Sequence, residues 1–402
     1  MPLLGRLVTA SAVAWTYLVI GHGGFWLASP RLPADPPEPG HWPSVGVIVP
    51  ARDEAAVLPE TLPTLLAQDY PGDLAVWLVD DGSTDGTGAF ARTLAQRGGG
   101  RASLTVLTAS PPAPGWTGKL NAVQCGVESA SAAGVEFLLL TDADIAHHPG
   151  SVRRLVATAL ADDRDLVSLM ALLRTQTGWE RVLVPAFVYF FAQLYPFPRV
   201  TRPGSRTAAA AGGCVLVRRT ALVHAGGLAR VRGNLIDDVA LGRLLKRSGA
   251  RTWLGFTSDP PEVRSVRPYP HLADLWTMVT RSAYTQLRRS PLLLAGTLAG
   301  LSLLYIVPPI AALTGLARRS LRLAAAGFGA WTAMAATQGP VLRLYGLSPL
   351  RGLTLPAVAT MYAAMTVDSA RRHATGQGGA WKGRLAQGAL DASGQVGGSQ
   401  HL

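Results

Sequence analysis

The stretch Phe137-Leu138-Leu139-Leu140-Thr141-Asp142-Ala143-Asp144 is a run of strand-forming apolar residues that ends in two carboxylates one residue apart. An apolar strand with this ending is how an α/β sheet holds a divalent cation at its carboxyl edge. Alternate residues of an extended chain share a side, so Asp142 and Asp144 are expected to reach one metal or one metal-bound diphosphate. An Asp after a strand also caps turns, here ahead of a helix opening near Pro149. The surrounding sequence decides between the two readings.

Working outward, residues 45–49 read as a further buried strand and residues 75–79 and 104–107 as two more strands, with a helix over residues 57–68. Strand, loop and helix repeat, which is the pattern of an α/β domain, placed here at residues 44–268. The first strand runs into Pro50-Ala51-Arg52-Asp53-Glu54 and the second into Asp80-Asp81-Gly82-Ser83-Thr84-Asp85-Gly86. Neither is a glycine loop of the Walker or dinucleotide type. Carboxylates stand where glycines would be. Such strand ends suit hydrogen bonds to a base and ribose, and a diphosphate beside them then needs a cation and basic side chains. Lys119, in Gly115-Trp116-Thr117-Gly118-Lys119-Leu120-Asn121, is the candidate basic partner, unless it is only a solvated lysine near a helix start.

Further along, Asp237-Asp238 opens a helical run over residues 239–247. A pair of acids there caps and charges a helix start, or supplies a base. Glycines at Gly212-Gly213 and Gly226-Gly227 let backbone approach a ligand closely or simply admit a strand. His147 and His148 read as solvated loop residues.

Composition sets the surroundings. With 48% hydrophobic and 15% charged residues over 402 positions, the chain is too apolar to be wholly soluble. Residues 7–27 form an uncharged apolar run of spanning length, giving an N-terminal anchor at residues 1–29 and a Pro-rich linker at 30–43. Apolar runs at residues 292–317, 323–342 and 353–367 place a C-terminal membrane region at 291–370, with Gly339-Pro340 interrupting the second run. Residues 269–290 carry Leu272, Leu275, Trp276, Val279 and Ala283 at helical spacing, as an interfacial helix does. Residues 182–198 are apolar and aromatic, and are expected to dip into the bilayer surface; a span and a core helix are the competing readings. Residues 371–402 read as a basic, largely disordered tail, with Trp381-Lys382-Gly383-Arg384 as its one structured patch.

Of the net charge of +12, residues 291–402 supply +7, clustered beside apolar runs. This favours cytoplasmic placement of those ends and attraction to anionic headgroups, and no basic stripe interleaved with aromatics suggests nucleic acid as a partner. Cys125 and Cys214 have neither disulfide nor zinc spacing.

Taken in order, Val-Pro-Ala-Arg-Asp-Glu at 49–54, Val-Asp-Asp-Gly-Ser-Thr-Asp at 79–85, Gly-Trp-Thr-Gly-Lys-Leu-Asn at 115–121 and Thr-Asp-Ala-Asp at 141–144 resemble the membrane-bound family 2 glycosyltransferases, in their hopene-associated subgroup. The resemblance implies the GT-A fold, a Rossmann-like nucleotide-diphosphosugar transferase domain, carried here between N-terminal and C-terminal transmembrane helices. It implies that Glu54, Asp81 and Lys119 hold a nucleotide, commonly of a UDP-sugar. Asp142 and Asp144 would then meet Mg2+ or Mn2+ and the diphosphate, and Asp238 matches the family's catalytic base. Gln286-Leu287-Arg288-Arg289-Ser290 resembles the family's Gln-x-x-Arg-Trp motif, so Gln286 and Arg289 would line the acceptor and diphosphate path. Ser290 stands where Trp is expected, which argues against processive polymer synthesis.

The expectation is a multi-pass cell-membrane enzyme with its catalytic domain facing the cytoplasm. It would be an inverting transferase that moves one sugar from a nucleotide-diphosphate donor to a membrane lipid hydroxyl, a hopanoid by resemblance. A polyprenyl-phosphate glycosyltransferase and a non-catalytic nucleotide-sugar sensor are the alternatives. The sequence carries no signal for an oligomeric state.

Overall fold

The computed structural model describes residues 2–98 and 100–377, so the expected patch at Trp381 to Arg384 lies outside the described residues. Nine strands are described: β1 (Val45–Ala51), β2 (Leu74–Asp80), β3 (Ser103–Thr108), β4 (Phe137–Leu140), β5 (Ile145–His147), β6 (Leu166–Met170), β7 (Val215–Arg218), β8 (Thr252–Phe256) and β9 (Val263–Ser265). Seven form one sheet in the order β3-β2-β1-β4-β7-β6-β8, and β5 pairs with β9 in a small second sheet. Strands β1 to β4 run parallel, while β7 lies antiparallel between β4 and β6.

Why these segments become central strands is visible in β1, where all seven residues are buried. Val45, Val47 and Val49 pack on one face against the helices Leu58–Leu66 and Ser151–Ala161. Ile48 points to the other, with Leu120, Val123 and Val127 of the helix Gly118–Ala132 and with Leu241 and Leu245 of the helix Asp237–Arg247. A strand covered on both faces has no polar side, hence the unbroken apolar runs. Gly126 lets the helix Gly118–Ala132 rest directly on β1, since a Cβ there would lie 2.6 Å from Ile48 Cγ2. The chain moves from β1 outward to β3 and returns beyond β1 to β4. The loops diverge at that switch point and leave a crevice at the strand carboxyl ends.

A helical layer joins the sheet domain at one side. Trp15, Leu183, Tyr189, Leu275, Tyr305, Met334 and Tyr362 meet in one apolar cluster drawn from six helices. Two helical stretches among the described residues are long and apolar enough to cross a membrane, Leu3–Ile20 and Pro291–Ala317. The second and third C-terminal apolar runs lie in the helices Leu321–Leu344 and Leu355–Ala374, which fall short of that standard. Glycines, threonines, Gln338 and Pro340 dilute the first, and Asp368, Arg371 and Arg372 the second. The last helix also continues to Ala374, into the stretch expected to begin the tail.

The aromatic segment expected to dip into the bilayer instead forms the helix Gly178–Leu194 and packs as a core helix. Leu183, Val184, Ala186 and Tyr189 face the helical layer, whereas Val188 and Ala192 face a cluster with Met170, Leu254 and Phe256 of the sheet domain. Being covered from two sides explains its unbroken apolarity. The expected interfacial helix, Leu272–Thr280, likewise turns Leu275 and Val279 inward, and Trp276 Nε1 donates to Asp368 Oδ2 at 3.0 Å.

Candidate active site

The loops that follow β1 and β2 are stitched into one floor. The Thr84 N–H donates to Asp53 Oδ1 at 2.8 Å, the Ala55 N–H to Asp85 Oδ2 at 2.9 Å, and the Glu54 N–H to Thr87 Oγ1 at 2.8 Å. Asp53 adopts a left-handed φ of 50°, a conformation that Asp tolerates better than most residues. Arg52 Nη1 donates to the Asp81 carbonyl at 2.6 Å and lies 3.4 Å from Asp81 Oδ2. Glu54 and Asp81 are therefore buried and pre-positioned beyond adjacent strand ends.

The crevice itself is lined by Lys119, Asp142, Gly212, Asp237 and Asp238, with Leu120, Leu228 and Leu241 forming apolar walls. Thr117 caps the helix Gly118–Ala132, its Oγ1 accepting from the Leu120 N–H at 3.3 Å, so Lys119 rises from the first turn. Its Nζ lies 2.8 Å from Asp142 Oδ1 and 3.2 Å from Asp237 Oδ2. Burial opposes its charge, but Asp142 and Asp237, aided by Asp238, outweigh that cost and hold it above the ordinary lysine range. It is a fixed cation, not a solvated lysine.

Asp238 sits at the start of the helix Asp237–Arg247, where both of its oxygens meet backbone donors. The Gly212 N–H reaches Oδ2 at 2.8 Å and the Val239 N–H reaches Oδ1 at 2.7 Å. Its pKa is nevertheless pushed up to about 6, chiefly by burial and then by the neighbouring Asp237, against the pull of Lys119 and the two N–H donors. A carboxylate with that affinity for a proton, facing a crevice, is suited to general-base work.

Asp142 and Asp144 do not owe their placement to strand alternation. Strand β4 stops at Leu140 and the chain turns, the Ile145 N–H donating to the Asp142 carbonyl at 3.2 Å. The two carboxylates accordingly meet different cations, Asp142 taking Lys119 and Asp144 taking Arg267, whose Nε lies 2.7 Å from Asp144 Oδ2. Arg267 Nη2 also lies 2.8 Å from both Glu54 oxygens. Among the described residues, no three His, Cys, Asp or Glu side chains gather as an ion cage. Two carboxylates still fit a magnesium- or manganese-type ion, which takes one or two from the protein and leaves its other positions to water and substrate phosphate.

Gln286 reaches toward the same region, its Nε2 hydrogen-bonded to the Tyr195 hydroxyl, to which Arg243 Nη2 also donates at 3.2 Å. Arg289 is not brought in. It is exposed on a left-handed turn with φ of 55°. His147 is a buried residue of β5 between Thr141 Oγ1, at 3.0 Å, and Ser151 Oγ, at 3.2 Å, and burial pushes its pKa down to about 3. The solvated-loop reading holds for exposed His148 and fails for His147, because β5 is only three residues long and leaves no pattern to read.

A segment of 57 residues is 46% identical to an N-acetylglucosaminyltransferase of Mesorhizobium japonicum, covering 14% of this chain and 13% of that protein. Over 124 residues the chain is 33% identical to an N-acetylglucosaminyltransferase of Rhizobium leguminosarum bv. viciae, covering 31% of this chain and 27% of that one. The matches thus span well under a third of these curated relatives. Among solved structures, the mannosyltransferase PcManGT from Pyrobaculum calidifontis, in complex with GDP-Man and Mn2+, shares the fold with a TM-score of 0.55 at 20% identity, over 92% of this chain and 98% of that one. The family described as Glycosyltransferase like family 2 matches residues 43–285, more than half of the chain, and this protein belongs to it.

Proposed function

We propose that this protein is an inverting glycosyltransferase that moves a sugar from a nucleotide-diphosphate donor to a hydroxyl of a membrane lipid. The observation that carries the proposal is Asp238, a carboxylate with a pKa of about 6 in the same crevice as Lys119 and Asp142. Direct displacement at an anomeric carbon needs a base for the acceptor hydroxyl and positive charge for the departing diphosphate, at separate places. Asp238 takes the proton. Lys119 Nζ offers charge and hydrogen bonds to the phosphate side, and Glu54 and Asp81 hold the nucleotide at the ends of β1 and β2. Magnesium or manganese held by Asp142 and Asp144 would neutralise charge developing on the leaving group.

Several features support the lipid side. The two helical stretches of spanning length expose Leu3, Val13, Ile20, Leu292, Ile310 and Leu313. Tyr195, Gln286 and Arg243 join the sheet domain to the helical layer close to Asp238, where an acceptor hydroxyl would enter. The names of the curated relatives make UDP-N-acetylglucosamine the first donor to test, and the sequence resemblance makes a hopanoid the first acceptor.

The test uses full-length protein in detergent with lipid extract, hopanoid, divalent cation and labelled nucleotide sugars. Wild type is expected to label a lipid. Asp238→Asn is expected to lower turnover at least about a hundredfold with donor binding retained, which is the scale of a lost general base. A small defect in Asp238→Asn with normal transfer to a polyprenyl phosphate would replace the hydroxyl acceptor by a phosphate. Nucleotide binding without transfer to any lipid would overturn the enzymatic reading.

A further inference from the structure

Arg267 belongs to none of the motifs that point to the site, yet it is the cation on which two of them converge. It follows β9 in Ser265-Val266-Arg267-Pro268-Tyr269, and its guanidinium bridges Asp144 of the β4 turn and Glu54 of the β1 loop at 2.7–2.8 Å. Burial opposes its charge, but Asp144 and Glu54 outweigh that cost and hold the arginine firmly protonated. Ser265 Oγ donates to the same Asp144 oxygen at 3.3 Å. Two residues onward, the Tyr269 N–H donates to Glu180 Oε1 at 2.8 Å, and Thr177 Oγ1 donates to the Tyr269 carbonyl at 3.3 Å. Glu180 is itself fully buried at the start of the helix Gly178–Leu194, where it accepts from Arg174, Gln176 and Thr177. The segment that carries Arg267 is therefore pinned at both ends.

We infer that Arg267 is a positioning residue that makes divalent-cation binding at Asp142 and Asp144 depend on a nucleotide diphosphate. This rests on the reading of those two residues as the cation's protein ligands. A guanidinium does not deprotonate at working pH, so its positive charge stays beside Asp144 when a dication arrives. With Lys119 shared between Asp142 and Asp237, and Arg267 shared between Asp144 and Glu54, the carboxylates that a bare dication would use already hold fixed cationic donors. A bare dication has to compete with those contacts, which are strong at such distances in a partly buried site. A diphosphate offers Lys119 and Arg267 a new anionic partner and so frees carboxylate oxygens for the dication. Cation and donor then bind as a pair, and neither carboxylate needs to be vacant beforehand.

The test measures Mn2+ binding directly, by electron paramagnetic resonance of free Mn2+, on full-length protein with and without UDP and with no acceptor present. Wild type is expected to bind Mn2+ at least tenfold more tightly with UDP than without. Arg267→Gln is expected to bind Mn2+ alone at least tenfold more tightly than wild type, so that the dependence on UDP shrinks. Since Gln leaves buried Glu54 without its bridge, Arg267→Lys is the companion variant, with thermal melting followed in parallel. It keeps the charge but cannot span both carboxylates, and is expected to bind Mn2+ alone at least threefold more tightly than wild type. Equal Mn2+ affinity without UDP in wild type and every folded variant would overturn the role of Arg267 while leaving the donor site standing. Absence of Mn2+ and UDP binding in wild type would overturn the cation site and this inference together.

Discussion

At the scale of single residues, the site is organised by how charges are neutralised. Asp238 carries a testable consequence because its pKa stands above that of an unfolded aspartate. The rate with a hydroxyl acceptor should rise as pH increases through about 6, where Asp238 ionises. Asp237 is the charged neighbour that raises it, so Asp237→Asn should move that limb of the kcat/KM profile to lower pH; an unmoved limb would assign it to another group. The stability effect has the opposite sign. A carboxyl whose folded-state pKa is raised loses its stabilising contribution as pH climbs from 3.8 to about 6, so ionised Asp238 burdens the fold above that range. Asp238→Asn should therefore be more stable than wild type at pH 7.5, by about 1–3 kcal/mol in denaturant unfolding, while being inactive. Of these residues, Glu54, Asp81, Lys119, Asp142, Asp144 and Asp238 could be singled out in the sequence because each lies in a loop beyond a strand end or in the first turn of a helix, within a recognisable run. Arg267 could not, since one arginine between Val266 and Pro268 carries no local pattern, and its meaning arises only when β9 folds back onto β5. Arg289 stands exposed on a left-handed turn, a backbone conformation that its sequence motif does not announce.

At the scale of elements, β1 to β4 were readable from their apolar runs, and three of them carry the acidic loops in the expected places. The pair β5 and β9 was not, each being three residues long with no room for a pattern, and the run after Gly212-Gly213 does not announce that β7 lies antiparallel. The helix Asp237–Arg247 shows why such packing matters to chemistry. Gly242 lies against the segment that leads into Gly212, and a Cβ there would fall 2.6 Å from the Ala209 carbonyl carbon and 2.9 Å from the Ala210 nitrogen. These are backbone atoms with little freedom to yield. Gly242→Ala should push the helix away from residues 208–212 and weaken the Gly212 N–H contact to Asp238. Overpacking of this kind costs about 1–3 kcal/mol of stability. The kinetic expectation is a kcat reduced about tenfold or more with donor KM within about twofold, since misplacing one catalytic group by a fraction of an ångström leaves remote binding intact. A variant with normal kcat and lowered stability alone would show that the helix start holds its place without Gly242.

At the scale of the whole molecule, the sheet domain and the helical layer are joined by buried polar links as well as apolar packing. The Tyr189 hydroxyl meets Thr337 Oγ1 at 2.8 Å and Tyr305 donates to Gln193 Oε1 at 2.8 Å, while within the helical layer Trp15 Nε1 donates to the Leu304 carbonyl at 2.8 Å. The helix Gly178–Leu194 lies between the two parts, which is why its apolarity pointed to lipid in the sequence and to protein in the fold. The helices that turn outward differ from it in burial. Only 22% of Leu3–Ile20 and 11% of the spanning window in Pro291–Ala317 is buried, so most of their apolar side chains, Trp15 and Tyr305 excepted, are left uncovered by protein. Apolar surface on that scale is costly in water and satisfied in hydrocarbon. The protein is therefore expected to stay with the membrane fraction through washes in high salt and alkaline carbonate, and to be released by detergent. Release by salt alone would instead assign the attachment to the arginine clusters near residues 318–322 and 371–372. A single Ile310→Arg, at a side chain 49% exposed on the second stretch, separates the two further. An arginine within a spanning helix costs about 2.5–3.5 kcal/mol at the bilayer centre, so insertion should weaken and carbonate-extractable protein should appear. Attachment by headgroup charge predicts the reverse, since an added cation would tighten it.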